Sequence, residues 1–334
     1  MKSKINWGIL STGRIAGIFA EGVLKSKTGR LTAVGSRTKI SVQKFAKKYR
    51  IPKAHGSYED LLKDPSVDTV YIATPHPMHE EWAVKAAEAG KHILCEKPLG
   101  MNASEAKRMV EAARKNKVFF MEAFMYRCHP QTAKIVQLIR SGMIGEVRLI
   151  EASFCFNNPV DPKHRLFNKK LGGGGILDIG CYPVSFARLV AGAAQGKLFL
   201  DPIQVKGFLH RGKTGVDEWA VATLKFKSDI FAEISCATRA DKAGIARVSG
   251  SKGTLTIEKP WFASWGTGKT KITFQKDWSS KPKDIWVKSD RGLYAIEADE
   301  VGRCLLKGLR QSPAMSWGDS LGNAKVLDEW LKAN

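Results

Sequence analysis

The sequence predicts an α/β protein in two parts, an N-terminal doubly wound parallel sheet and a C-terminal α+β domain with a large open, mostly antiparallel sheet. Three observations predict it. Short apolar runs alternate with amphipathic helical patterns up to residue 123, and that alternation implies right-handed βαβ units around a parallel sheet. From Glu146 onward the pattern changes to longer alternating runs that follow one another as in a meander, which implies antiparallel pairing. The 334 residues have room for about two domains. The first is expected at residues 1–124 and the second at 125–334, with the C-terminal helices able to pack back on the first.

Taken in order, Ile5–Leu10 is apolar and strand-like. Residues 13–25 follow with Ile15, Ile18, Phe19 and Val23 at helical spacing. Residues 31–35 read as a second strand and 41–49 as a second helix with Ser41 as N-cap. A strand at 69–73, a helix at 80–89 ended by Gly90, and a strand at 92–95 come next. An amphipathic helix at 104–115 and a strand at 118–123 complete the first domain. Residues 130–141 read as a helix leaving it. Strands are expected at 147–156, 205–210, 219–226, 230–238, 245–249 and 253–258, and closing helices at 294–309 and Trp317–Leu331. A wide open antiparallel sheet needs a cover, so its outer face is expected to be a subunit interface in a homodimer or homotetramer.

Composition narrows the function classes. Hydrophobic content of 43% and charged content of 26% fit a globular protein. No stretch approaches the roughly 18 uninterrupted apolar residues of a membrane span. The start, Met1 to Ile5, runs straight into a strand pattern without an apolar leader, so cytoplasmic residence is expected. Six cysteines contain no Cys-x-x-Cys pair, which points to reduced, packed thiols and to no metal site. Net charge is +22, from 54 basic and 32 acidic side chains. The lysines are scattered and form no arm or nucleic-acid motif, so a solvated basic surface is expected and no nucleic-acid partner. One stretch stands apart. Residues 22–58 contain ten cations, Arg37 among them, and no acid.

The first strand-to-helix turn reads Ser11-Thr12-Gly13-Arg14-Ile15-Ala16. Against the dinucleotide pattern G-x-G-x-x-G/A, Ser11 replaces the first glycine, while Gly13 and Ala16 fit. Gly13 lets backbone approach a pyrophosphate, and the helix N-terminus supplies amide donors. An NAD-selective fold places an acid at the end of the second strand. This chain has Gly35-Ser36-Arg37 instead. Ser36 and the forked donor of Arg37 suit a 2′-phosphate, so NADP(H) is the expected cofactor.

Two further motifs carry chemistry. Glu96-Lys97-Pro98 ends an apolar strand, at the carboxyl edge where open α/β sheets bind ligands. The plainer alternative is a surface loop with a helix-initiating proline. Downstream, Gly172 to Gly175 precede Asp178 and Tyr182. The glycines permit close approach to a ligand. On a helix Asp178 and Tyr182 are four apart and share a face, which suits proton transfer. The alternative is a core tyrosine whose hydroxyl is capped by Asp178.

Together with Thr74-Pro75 followed by His79, and Met125-Tyr126-Arg127-x-His129-Pro130, these motifs resemble the glucose–fructose oxidoreductase / inositol dehydrogenase family across essentially the whole chain. Many members carry His four residues after the Asp; Tyr182 stands here, as in the branch of dihydrodiol and NADP-dependent D-xylose dehydrogenases, which makes an inositol dehydrogenase less fitting. The resemblance implies a Rossmann domain holding NADP(H) through Ser11, Thr12, Gly13, Arg14, Ile15, Ser36, Arg37, Thr74, Pro75, His79, Glu96, Lys97 and Arg127. It implies that Lys97 and Tyr182 flank the reacting carbon, with Tyr182 as acid/base, Lys97 lowering the phenol pKa and stabilising the alkoxide, and Asp178 bonding the substrate hydroxyl or orienting the pair. The expected substrate is a small sugar-like molecule, an aldose at its anomeric carbon or a cyclic diol. Phe154, Asn157, Arg165, Trp219 and Arg239 are expected to set specificity. A non-catalytic NADP-binding regulator and an NAD-dependent glycosidase on the same fold are the rival readings.

Overall fold

Apolar strands buried on both faces build the first sheet. In the computed structural model, which describes residues 4–263 and 266–333, β1 (Ile5–Leu10) is buried along its whole length, as are β4 (Thr69–Ile72) and β6 (Phe120–Ala123). The residues before Lys4, on which the expected localisation rested, lie outside the described ones. With β2 (Gly29–Gly35), β3 (Lys53–His55) and β5 (His92–Glu96) these strands form a six-stranded sheet in the order β3-β2-β1-β4-β5-β6. Every pairing is parallel. The order reverses between β1 and β4, so the loops after those two strands flank the switch-point crevice.

The helices of this unit are α1 (Arg14–Leu24), α2 (Lys39–Tyr49), α3 (Tyr58–Lys63), α4 (His79–Glu88), α5 (Ala103–Lys115) and α6 (Met125–Cys128). Helix α2 starts two residues before the expected position. Thr38, in an extended conformation, is the N-cap and accepts a bond from the Ser41 amide, so Ser41 lies in the first turn. Asn102 caps α5 by accepting from the Glu105 amide, while Glu105 Oε2 accepts from the Met101 amide, close to a capping box. Gly90 ends α4 at φ +71°, a conformation that favours glycine. Strand β3 and helix α3 are absent from the expected set; three and six residues are too few for a periodicity to register.

The second unit contains α7 (Pro130–Arg140), β7 (Val147–Cys155), α8 (Cys181–Ala194), β8 (Gln204–Arg211), β9 (Asp217–Lys225), β10 (Phe231–Ala237), β11 (Ala246–Gly250), β12 (Gly253–Ile257), β13 (Gly268–Gln275) and β14 (Lys283–Ser289). Its eight-stranded sheet runs β14-β13-β12-β11-β7-β10-β9-β8. All pairings are antiparallel except that of β7 with β10. Helix α8 packs on β7 and β10 and is buried around most of its circumference. The helical stretch 169–194 is the one described segment long and apolar enough to cross a membrane, and its apolar window is wholly buried in the fold, as in a core helix. Strands β13 and β14 went unread because lysine, threonine and aspartate interrupt their apolar positions.

The chain divides into residues 1–128 with 291–320, and residues 129–290 with 321–334. The returning segment brings α9 (Leu293–Leu306) against α1 and α6, and then the start of α10 (Trp317–Leu331). Asp299 of α9 accepts from the Ser26 and Thr28 hydroxyls and from the Lys27 and Thr28 amides through one oxygen. A Cβ on Gly22 of α1 would stand 2.6 Å from Tyr294 Cβ, so only glycine permits this helix crossing. Arg127 donates to Asp319 at 2.6 Å with both side chains almost wholly buried. The guanidinium is an internal strut that ties α6 to the start of α10.

Breaking that pair strands a buried charge. Asp319→Asn is expected to cost about 3–5 kcal/mol. Denaturant unfolding followed by circular dichroism checks it, and a loss under about 1 kcal/mol would place the pair among weak surface bridges instead.

Candidate functional site

The first strand of the parallel sheet ends in a turn that fits a dinucleotide. Ser11, where the pattern has glycine, sits at φ +112°, and its amide is held by the Gly35 carbonyl at 3.0 Å. Its Oγ accepts from the Gly13 amide at 3.2 Å. A Cβ on Gly13 would meet only that Oγ within 4 Å, so the approach to this backbone is open. Helix α1 has no capping side chain and no acid in its first turn, and its leading amides, beside Arg14 and Ile15, suit an anionic phosphate. Thr12 Oγ1 lies 3.5 Å from Ser36 Oγ at the end of β2. Ser36 is buried and Arg37 is exposed.

Tyr58, which the sequence reading passed over, belongs to this group. Burial raises its pKa, while the nearby Arg37 guanidinium and Ser11 hydroxyl act in the opposite direction. Its one sequence signal is its place after Ser57, the N-cap of the short α3.

The loop after β4 holds the next residues. Thr74 Oγ1 is buried with no hydrogen-bond partner among the described residues, an orphan acceptor and donor that a bound cofactor would satisfy. Half-buried Pro75 opens the turn that leads into α4. His79 is wholly buried, with Nδ1 3.0 Å from the Pro98 carbonyl and Nε2 2.9 Å from the Thr74 carbonyl. Burial lowers its pKa to about 4. A neutral ring has one N–H and donates to one of these carbonyls at a time. His79 therefore braces the Thr74 loop against the Lys97-Pro98 turn.

At the end of β5, Glu96 is buried and both its oxygens are engaged. The Tyr71 hydroxyl donates to Oε1, and the Lys97 amide donates to Oε2 at 3.2 Å. Glu122 accepts from the Leu99 amide at 3.1 Å, which fixes the following turn. Lys97 itself is half-buried. Glu297 of α9, also missed by sequence, is wholly buried, and neither carboxyl oxygen has a partner among the described residues. Burial, then the charge of Glu96, pushes its pKa well up.

In the second unit the glycine run is packed against protein, which corrects its reading as a ligand cradle. A Cβ on Gly173 would stand 2.6 Å from the Leu166 carbonyl oxygen, and one on Gly174, at φ +120°, would stand 2.3 Å from Asp217 Oδ1. Ile176–Gly180 then forms a π turn before α8. Asp178 lies inside that turn and Tyr182 beyond it, so the regular four-residue spacing does not hold across the junction. Asp178 Oδ1 accepts both Arg165 terminal nitrogens, at 3.0 and 3.1 Å. Tyr182 is buried among Phe154, edge-on at 5.3 Å between centroids, and Trp261 at 5.6 Å. Arg239 is tied to Asn157 Oδ1 and to the Asn158 carbonyl. Trp219, expected at the substrate, points to the other face of the sheet and stacks on His210 at 3.8 Å; it pairs with Ala237, one residue out of phase with the Cys236–Phe154 pair.

Known proteins fit these two halves. The family described as "Oxidoreductase family, NAD-binding Rossmann fold" matches residues 5–124, and the GFO/IDH/MocA C-terminal domain matches residues 132–256. A trans-1,2-dihydrobenzene-1,2-diol dehydrogenase of Xenopus laevis is 37% identical over 98% of this chain and 97% of its own. Among solved structures, an aldose-aldose oxidoreductase from Caulobacter crescentus complexed with glycerol superposes with a TM-score of 0.88 at 25% identity, over 99% of this chain and 97% of that one. A 3-ketoreductase from Actinomadura kijaniata, in complex with NADP and TDP-benzene, gives 0.86 at 25% identity over 99% and 98%. With both domains matched and a relative aligned along nearly its whole length, the chain belongs to the GFO/IDH/MocA oxidoreductase family.

Proposed function

We propose that this oxidoreductase uses NADP(H) and acts on a sugar-like hydroxyl or carbonyl, an aldose at its anomeric carbon or a cyclic diol. The observation that carries the reading is the near full-length similarity to diol dehydrogenases. The cofactor choice is supported by exposed Arg37 and by the lack of any acid from Gly22 to Tyr58. Bound NADP(H) would supply the hydride acceptor in oxidation and the donor in reduction. The chain's own residues do the rest. Amides at Gly13 and the start of α1 hold the phosphates, and Ser36 and Arg37 hold the 2′-phosphate. The Tyr182 phenol takes the substrate hydroxyl proton and returns it in reduction. The Lys97 ammonium stabilises the alkoxide charge. Asp178, fixed by Arg165, orients the substrate hydroxyl. Glu96 holds the Lys97 backbone.

We further propose that a second copy covers the outer face of the eight-stranded sheet. Leu149, Phe208, Val221 and Phe231 are exposed there, and they meet as cross-strand pairs, Phe208 with Val221 and Leu149 with Phe231. The two pairs stand on either side of a polar row, Glu151, Glu233, Thr223 and Lys206, a mixed face that suits burial against a second copy. Light scattering at micromolar concentration is expected to give at least a dimer; a monomer would remove the interface.

NADP(H) is expected to bind at least about tenfold more tightly than NAD(H), and Arg37→Ala to erase most of that preference while sparing NAD binding. Fluorescence titration of both cofactors checks it; equal curves in the unaltered protein would refute the choice.

Tyr182→Phe keeps the ring and removes the transferable proton. Turnover is expected to fall by roughly 10² or more. Lys97→Met is expected to do comparable damage, with the double variant scarcely worse than either single one. A screen of aldoses, polyols, diols and dicarbonyls followed by absorbance of the reduced nicotinamide supplies the assay. Near-normal turnover in Tyr182→Phe would move the proton transfer to another group.

A further inference from the structure

We infer that Asp217 is a positioning residue, whose buried carboxylate clamps the turn at Gly174-Gly175-Ile176 and thereby sets the helix that carries Asp178 and Tyr182. It stands outside every motif read from the sequence. Asp217 opens β9 and is 2% exposed. Its Oδ2 accepts from the Ile176 amide at 2.6 Å, a short charge-assisted bond. The Asp178 amide in turn donates to the Gly174 carbonyl at 3.2 Å. Two hydrogen bonds through one turn therefore connect the Asp217 carboxylate to the Asp178 backbone.

The glycines are shaped to this carboxylate. A side chain at Gly174 would collide with Oδ1, and a Cβ on Gly175 would lie 3.4 Å from Oδ2. Gly174 also needs its positive φ to turn both neighbours toward the acid. The sequence Gly-Gly-Gly-x-Leu-Asp thus reads as a socket for an acid from a strand some forty residues downstream. The clamp acts at Ile176, the first residue of the π turn, a local departure from α-helical pairing of the kind that recurs at functional sites.

Burial pushes the Asp217 pKa up to about 6, against the Ile176 amide and Arg211 of β8, which lower it. Cys236 of β10 also lies beside it, its thiol pKa pushed well up by burial and then by the charge of Asp217. As pH falls through about 6, the carboxylate becomes a neutral acid and a weaker acceptor for the Ile176 amide, while its burial costs less; the bond that positions the turn weakens although the side chain stays buried.

The inference rests on the proposed role of Tyr182, and its test separates the two. Hydrogen exchange of amides 174–182 reads the clamp without turnover. Asp217→Ala is expected to speed that exchange while leaving the amides of α1 and NADPH affinity unchanged, and to cut turnover by roughly 10-fold to 100-fold, the scale of a small misplacement. Asp217→Asn keeps the volume and one acceptor but cannot ionise. It is expected to match the unaltered protein at pH 5, to fall below it at pH 7.5, and to lose the inflection near 6. Unchanged exchange in Asp217→Ala would overturn the clamp. Faster exchange with unchanged turnover would overturn the positioning role. If Asp217→Ala does not fold, an Asp217→Asn profile that keeps the acid inflection overturns it equally. Normal turnover in Tyr182→Phe alongside faster exchange in Asp217→Ala would sink the proton-transfer reading and leave the clamp standing.

Discussion

The nucleotide-binding unit closes only when the chain comes back to it. Helix α9, from more than 250 residues downstream of the first sheet strand, lies against α1 and α6. The single oxygen of Asp299 gathers four donors from Ser26, Lys27 and Thr28 at the head of β2. The Arg127–Asp319 pair, 192 residues apart in sequence, closes the same unit at its other end. A buried ion pair recovers little net free energy against a hydrophobic replacement, yet losing either partner costs several kcal/mol. The arrangement therefore enforces which segment returns and in what register. It explains why a motif arginine is found inside the unit. Arg127 acts on the site by fixing α6, directly after the last strand of the sheet.

The carboxyl edge of that sheet is built from buried polar groups whose partners leave few free to react. Glu96 has one oxygen on Tyr71 and the other on the Lys97 amide. His79 is neutral and braced between two carbonyls. Glu297 has its pKa pushed well up by burial and then by the charge of Glu96, and has no hydrogen-bond partner among the described residues; leaving a buried polar group unsatisfied costs about 1–3 kcal/mol. Of the acids and bases at this edge, Lys97 is the half-buried one. That asymmetry supports giving the electrostatic role to Lys97 and not to its neighbours.

The sequence revealed the architecture because both halves have strong periodicity: doubly buried strands alternating with helices, then strands with one apolar face. It missed β3 and α3, which are shorter than one period's worth of evidence, and β13 and β14, whose half-exposed faces carry mixed side chains. Residues tied to a backbone motif could be singled out from sequence, as at Gly13 and Lys97. Residues whose role depends on a distant partner were not. Tyr58, Asp217 and Glu297 look like ordinary helix or strand residues until the fold brings Arg37, Ile176 and Glu96 beside them. The glycine run was legible as a constraint on the backbone, but sequence cannot say whether a ligand or an aspartate fills the space that glycine leaves. Trp219 was assigned to the wrong face because a strand's parity is fixed by pairing, not by composition.

The surplus of positive charge has a local meaning at one point. Several cations between Gly22 and Tyr58 have structural uses: Lys53 pairs with Asp64, Lys47 and Lys48 stand at the C-terminal end of α2, where a helix favours cations, and Arg30 donates to Asn6. Arg37 differs. It stands exposed past the end of β2, and its charge acts on the Tyr58 phenol. Tyr58 is itself buried and packed edge-on against Trp82 at 4.8 Å. A guanidinium beside a fixed phenol loses less conformational freedom when it binds an anion than one free in solvent. The surrounding stretch without acids raises the local potential without opposing it. Preorganisation at Arg37, more than the total of +22, is the physical ground on which NADP(H) is proposed over NAD(H).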